Sequence, residues 1–470
     1  MSDSSIARLM AESLTGNLSR RSILKRAAAV GAAAPLVGMM LQGSARVAGA
    51  QEAGKAIEAI DIAAIGLSTD YKGQKLSVIL GADGPAAQWE TDLVAKFSEA
   101  TGIDTKIVRG PDSATERLAQ YQQLLAAQAT DVDAMMIDVI WPGILASHAL
   151  DLKPAMEKNG AYFERIVANN TVNDVLVGIP WYTDSGLLYW RSDLVEKYGL
   201  GQPATWADLE AAAKTIQEGE RASNPDFQGF VWQGSAYEGL TCDALEWQVS
   251  NGGGTIIEPD GTVSVNNPQA IAAFERAKGW IGAISPEGVT TYKEEDARGV
   301  WQAGNAAFMR NWPYAWSLAQ AEDSVIKDKV GVGLLPKGDG ENAQNAATLG
   351  GWQMMASKYS KNPDAAIEFC RFLTSKEVQK AHAIDWSRLP TIVELYDDPA
   401  VLEAQPFFGS LKDVFLGGAV ARPSTVSADL YNDVSTAYFT AVNEILTGQA
   451  VAADRVAKLA TELEGIMAEL

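Results

Sequence analysis

The chain has 470 residues, a formal net charge of −21, 47% hydrophobic and 21% charged residues. That length is too long for one ordinary domain and suits two or three, and the composition is globular, which excludes a disordered or fibrous chain. The strong acidity excludes nucleic acid and anionic membrane as partners. Thirteen Trp and thirteen Tyr favour amphipathic aromatics, a composition compatible with carbohydrate but not specific to it.

Ser19-Arg20-Arg21-Ser22-Ile23-Leu24-Lys25 resembles a twin-arginine export motif. A weakly apolar run over 27–41 follows, broken by Gly31, Pro35 and Gly38; it is too short to span a bilayer comfortably. Ala48-Gly49-Ala50 then offers a small-residue cleavage site before Gln51. The competing reading is an amphipathic helix of a cytoplasmic protein. Residues 1–50 are therefore expected to be a twin-arginine signal peptide. With no cysteine near the cleavage site, the mature protein is expected free of a lipid anchor, in the periplasm or outside the membrane. Residues 51–74 are Ala-rich without a strand signal and read as a loosely held leader.

The folded part opens with a predicted strand over 75–81, then a helix over 85–100 with Trp89, Leu93 and Phe97 on one face. A second strand is expected over 103–108. A helix over 113–129 opens with Ser113 and Glu116 at capping-box spacing, and a third strand covers 133–139. This alternation has βαβ spacing and predicts a parallel sheet covered by helices. Ligands bind such sheets outside the carboxyl ends of the strands. Asp83 stands just after the first strand, Asp138 ends the third, and Trp141 follows closely. An ordinary turn residue for Asp83 and a helix cap for Asp138 are equally compatible with the sequence.

The segment 178–198, GIPWYTDSGLLYWRSDLVEKY, reads as a strand end, a connector, a strand and a short helix stopped by Gly199. Trp181, Tyr182 and Asp184 put two rings beside a carboxylate. A ring can stack on the apolar face of a sugar while a carboxylate accepts from its hydroxyls; core rings beside a turn residue fit the same string. The whole segment resembles the first interlobe crossover of the sugar-binding proteins of bacterial ABC importers, the maltose- and trehalose-binding family of extracellular solute-binding proteins.

Farther on, Thr205 to Asp208 forms a capping-box start to a helix reaching 217, and 230–233 reads as a strand. Ala236-Tyr237-Glu238-Gly239 precedes a helix that stops at Asn251 and three glycines, which lack the spacing of a dinucleotide fingerprint. Pro268 starts a helix expected to reach 284. In the resembled family, the residues that match Tyr237 and Glu238, and the stretch Asn311-Trp312-Pro313-Tyr314, project into the cleft from the second lobe. Trp316 fits a core. A strand is expected over 329–334. Thr348-Leu349-Gly350-Gly351-Trp352 looks like the second crossover, its glycines allowing backbone to approach ligand and Trp352 adding a stacking face. Arg388-Leu389-Pro390 is expected at a third crossing. Ala421-Arg422-Pro423-Ser424 resembles the family's loop with a sugar-contacting arginine; a surface arginine is the alternative. Helices are expected over 428–446 and 451–470.

Together these readings predict an α/β fold of two discontinuous α/β lobes joined by three crossovers around a ligand cleft, periplasmic-binding-protein-like of type II. The first lobe is expected over 75–181 and 352–389, the second over 182–351 and 390–470. Cys242 and Cys370 then fall in different lobes and read as buried free thiols. His148 and His382 have no metal-binding spacing, and there is no nucleophile elbow or Walker A sequence. No metal or other cofactor is expected. The resemblance implies a non-enzymatic, monomeric binding protein that closes on a neutral di- or short oligosaccharide and hands it to the permease subunits of an ABC transporter. Its implied ligand residues are Asp83, Asp138, Trp141, Tyr182, Asp184, Tyr237, Glu238, Trp312, Tyr314, Gly351, Trp352 and Arg422. The rival is an exported glycoside hydrolase, since carboxylates near aromatics are also its equipment. Binders of charged ligands use similar lobes, but several carboxylates disfavour an anion and Arg422 disfavours a cation.

Overall fold

The computed structural model describes residues 55–340, 342–409 and 419–470; the expected signal peptide and its cleavage site lie outside the described residues. Strands β1 (Lys75–Leu80), β2 (Asp104–Arg109) and β3 (Ala134–Asp138) are parallel, with β1 between the other two. Alternation along β1 decides which helix covers which face. Val78 and Leu80 turn to Trp89, Leu93 and Phe97 of α1 (Ala87–Thr101), whereas Ile79 turns to Leu118, Tyr121 and Leu125 of α2 (Ala114–Ala126). A sheet covered on both faces needs apolar residues at both alternating positions, and β3 is buried throughout.

After a short hairpin, β4 (Thr171–Val172) and β5 (Val175–Leu176), the chain reaches β6 (Ile179–Ser185) and β7 (Leu187–Arg191). A single residue, Gly186, separates these two strands, yet they belong to different sheets. The second sheet contains β7, β8 (Gln228–Val231), β9 (Ala306–Asn311) and β10 (Val330–Gly333), in the order β10-β7-β9-β8. It is flanked by α3 (Trp206–Glu220), α4 (Glu238–Ser250), α5 (Pro268–Trp280) and α6 (Glu294–Gln302). The capping box at Thr205 and Asp208 is formed in both directions. The helix from Pro268 ends at Trp280 rather than 284. There the Trp280 carbonyl accepts from Ala283, Ile284 and Ser285, and Gly282 takes a positive φ of 74°, a tight turn that stops the spiral.

The chain returns on β11 (Ala347–Ala356), followed by α7 (Pro363–Leu373) and α8 (Lys376–Trp386). β11 lies antiparallel to both β6 and β3: Leu349 stands opposite Ser185, and Trp352 opposite Tyr182 of β6 and Asp138 of β3. A third crossing is fixed at Leu389, whose carbonyl accepts from Thr183 N at 2.9 Å. β12 (Ala419–Val420) pairs in parallel with the start of β11, at Ala347 and Thr348. The terminal helices α9 (Tyr431–Leu446) and α10 (Ala452–Met467) then pack with Trp206, Phe230, Trp247 and Trp280 on the second sheet. These are two α/β lobes joined by three crossovers.

One reading is corrected. Residues 56–68 are not loosely held. Ala56 N and Ile57 N each donate to Asp385 at 3.1 Å, Ser68 N donates to Glu368 at 2.7 Å, and Arg371 donates to the Ile65 and Gly66 carbonyls. Ile57 and Ile65 are buried in the first core. The Ala-rich string hides its acceptors in α7 and α8, three hundred residues away. Cys242 and Cys370 are free and buried, in α4 and α7.

Candidate functional site

A cavity of about 340 Å³ lies where the two sheets meet. Its first-lobe wall follows from strand ends. Asp138 is the last residue of β3 and Asp83 stands three residues after β1. Alternation along β6 turns Tyr182 and Asp184 toward the cavity, while Trp181, fully buried, joins the core behind them. Opposite, the end of β9 delivers Trp312 and Tyr314, and the start of α4 delivers Tyr237 and Glu238. The return strand adds Gly351 and Trp352, and the loop after β12 adds Arg422.

Trp141 is not on this wall. It is 1% exposed and meets Trp352 edge to face at a centroid distance of 5.6 Å, with Tyr121 on its other flank. The strand-end position that suggested a ligand role instead makes it the backing of Trp352. The glycines of β11 line the cavity and also serve the pairing of the strands. A Cβ on Gly351 (φ 140°) would stand 2.7 Å from the Tyr182 carbonyl, and one on Gly350 would stand 3.1 Å from Asp184 Cβ. They let β11 close on β6, and Gly351 faces the cavity only as a consequence.

The polar groups divide by whether they have partners. Glu238 is fully engaged: Arg422 Nη1 donates to it at 2.7 Å, and the Tyr431 and Ser435 hydroxyls donate at 2.6 Å each. Arg422 also donates to Asp138 at 3.2 Å and to the Leu349 carbonyl, bridging the two walls. Burial raises the Asp138 carboxyl above its ordinary range, against the pull of Arg422. Tyr237 and Trp312 donate to the two oxygens of Glu294, and Tyr314 to Glu295 at 2.7 Å. The Trp312 ring rests on the Arg310 guanidinium, 4.0 Å from centroid to Cζ. Asp83 is exposed at the rim, 3.6 Å from Arg109.

Asp184 is different. Its carboxylate accepts no hydrogen bond among the described residues, and its Oδ1 is buried. Its nearest cation is Arg388 at 3.7 Å. Burial pushes its carboxyl up to about 7, with Arg388 opposing. Arg388 itself was read only as part of a crossover. Glu90, Arg117, Glu294 and Glu295 were also missed, though they line the cavity. Glu90 is the only one with a visible signal: it neighbours Trp89 on α1 and pairs with Arg109. A larger groove, about 880 Å³, runs between 142–147, 165–175 and 424–429, but no aromatic side chain lines it.

The bacterial extracellular solute-binding protein family model matches residues 81–380. A probable ABC transporter-binding protein of Deinococcus radiodurans is 53% identical over 355 residues, 75% of this chain and 84% of its own length. Among solved structures, maltose-bound MalE3 of T. maritima is 40% identical, with a TM-score of 0.79, covering 84% of this chain and 100% of that one. A solute-binding protein of Thermotoga lettingae bound with α-D-tagatose shares the fold at 21% identity and a TM-score of 0.74, covering 84% of this chain and 100% of its own.

Proposed function

The chain belongs to the bacterial extracellular solute-binding protein family, and we propose that it captures a neutral sugar, a di- or short oligosaccharide, for the permease of an ABC transporter. The observation that carries this reading is the wall of the cleft. The rings of Tyr182, Trp312 and Trp352, each carrying a guanidinium on one side, line it beside buried polar atoms that have no hydrogen-bond partner among the described residues, Asp184 Oδ1, Arg388 Nε and Arg422 Nε. Rings offer stacking and the unpaired atoms ask for hydroxyls. A sugar hydroxyl left dry and unpaired is costly, so a ligand that satisfies both walls favours the closed form. Arg422, bonded to Asp138 on one wall and Glu238 on the other, ties that closure to the site.

The lobe bounds, 75–181 with 352–389 and 182–351 with 390–470, are part of this proposal. The hinge they imply lies at 181–182, at 351–352 within β11 and at 389–390. The family is extracellular, so the chain is exported; a twin-arginine route, removal of residues 1–50 and a monomeric mature protein complete the reading. The hydrolase alternative is disfavoured by Glu238, whose oxygens are held by Arg422, Tyr431 and Ser435 and are not available as a general base.

Calorimetric titration of residues 51–470 with a panel of mono- and disaccharides tests the proposal. A heat that saturates near one sugar per protein supports capture. A heat that continues in proportion to added sugar means turnover, and no heat with any sugar means a different ligand.

A further inference from the structure

We propose that Arg388 and Asp184 form a ligand-reading pair that takes two adjacent hydroxyls of the sugar, Arg388 donating to one and Asp184 accepting from the other. This rests on the sugar-binding reading above and adds the ligand feature that is read and a second residue that reads it.

Four arginines line the cavity wall, and three of them donate hydrogen bonds to the protein. Arg117 donates to the Pro111 carbonyl at 2.8 Å, Arg298 donates to Glu295, and Arg422 donates to Glu238 and Asp138. The Arg388 guanidinium makes no hydrogen bond among the described residues. Its Nε is buried without a partner, and Asp184, at 3.7 Å, is beyond hydrogen-bond reach. A guanidinium has five N–H donors and no acceptor. Leaving them unmade in a half-buried position costs free energy, which an incoming acceptor recovers.

The guanidinium is nonetheless held in place. It stacks on the Tyr182 ring at 4.6 Å and on the Tyr314 ring at 4.9 Å, one ring from β6 and one from the segment after β9. Rings that occupy its faces leave the edge, where the N–H groups point, for the ligand. Asp184 supplies the complement, since an ionised carboxylate only accepts. A hydroxyl both donates and accepts, so two neighbouring hydroxyls can satisfy both members of the pair. An ionised Asp184 cancels the charge of Arg388, and Glu90 contributes further negative potential at Arg388. The subsite therefore favours a neutral diol over a sugar carboxylate or phosphate.

The pair also has a mechanical position. Asp184 lies on the first crossover and Arg388 on the third, and Gly350 of the second stands opposite Asp184 in the β6–β11 register. One ligand contact thereby spans all three connections between the lobes.

The test uses residues 51–470 and calorimetry. The tightest-binding sugar of the panel is titrated into wild type, Arg388→Met and Arg388→Lys, together with each of its monodeoxy analogues. Arg388→Met is expected to weaken the parent sugar roughly 10- to 100-fold. Arg388→Lys, which keeps the charge but loses the planar fork, is expected to fall between. One monodeoxy analogue should lose a similar factor on wild type and little more on Arg388→Met. A 6-carboxylate form of the parent should bind wild type more weakly than the parent. Unchanged affinity in both variants overturns the inference, as does an equal loss against every analogue, which marks a purely structural role. If Arg388→Met does not fold, the analogue series on Arg388→Lys decides in the same way. A wild type that binds no sugar overturns the sugar reading and this inference with it, whereas wild-type binding with indifferent variants overturns this inference alone.

Discussion

Arg310 and Arg388 stand beneath aromatic rings of the same cavity and have opposite surroundings. Arg310 is entirely buried. It donates to both oxygens of Glu246 at 2.6 and 2.9 Å and to Gln233 at 3.1 Å, and stands 3.0 Å from Asp243. Every donor edge is used, and the outward face carries Trp312. Arg388 has rings on its faces and, among the described residues, no acceptor within hydrogen-bond reach of its edge, Asp184 standing 3.7 Å away. The contrast separates support from reading: a charge that is fully paired holds the wall, and a charge that is positioned but unpaired is left for the ligand.

The largest effect should come from breaking the supporting member. Arg310→Met leaves Asp243 and Glu246 facing each other in a dry interior, with an expected loss of about 3–5 kcal/mol in denaturant unfolding. Arg388→Met should cost far less stability in the ligand-free protein, and an equal cost in both would erase the distinction. Next, Trp312→Ala removes the ring that Arg310 supports. Sugar affinity should fall about 100-fold or more while the ligand-free melting temperature barely changes. A large loss of stability there would instead make the ring part of the core. Gly351→Ala tests the junction between β6 and β11, where the positive φ and the nearby Tyr182 carbonyl predict about 1–3 kcal/mol of destabilisation. A neutral result would show that the two strands can part.

The finest test is protonic. Burial raises the Asp184 carboxyl to about 7, well above the ordinary aspartate value of 3.8, so the folded protein binds its proton more tightly than the unfolded chain. Its contribution to stability is complete below the unfolded value and fades as pH rises through about 7. Asp184→Asn should flatten that slope in melts between pH 5 and 8. A hydroxyl donated to Asp184 favours the carboxylate, so sugar binding near pH 6.5 should release less than one proton, seen as a dependence of binding heat on the buffer's ionisation enthalpy. Proton uptake would contradict the accepting role of Asp184.

Much of the scaffold was legible because its signals are local. Alternating apolar strands, the stripe Trp89-Leu93-Phe97 and the cap at Thr205 each lie within a few turns of chain. The aromatic and acidic residues of β6 and the Asn311–Tyr314 stretch could be placed in the cavity because strand ends and crossovers bring them there. Trp141 shared the signal of its neighbours and differs only in which ring covers it, a matter of tertiary packing. Arg388 carried no signal at all: its meaning depends on Tyr182 of β6 and Tyr314 after β9, which are far apart in the chain. The leader misled for a similar reason, since Asp385 is invisible from residue 56.

That last contact sets a limit on maturation. Asp385 receives the main-chain N–H groups of Ala56 and Ile57 and the indole N–H of Trp89. Beside it, His382 stacks on Trp89 at 4.6 Å and meets Tyr182 at 5.1 Å. A peptidase cutting before Gln51 leaves this clasp whole, with five residues to spare. Cutting a few residues later would strip two donors from a buried carboxylate and loosen the helix whose far side backs the cavity. If the chain is trimmed as proposed, the start of the working protein is constrained by its own interior.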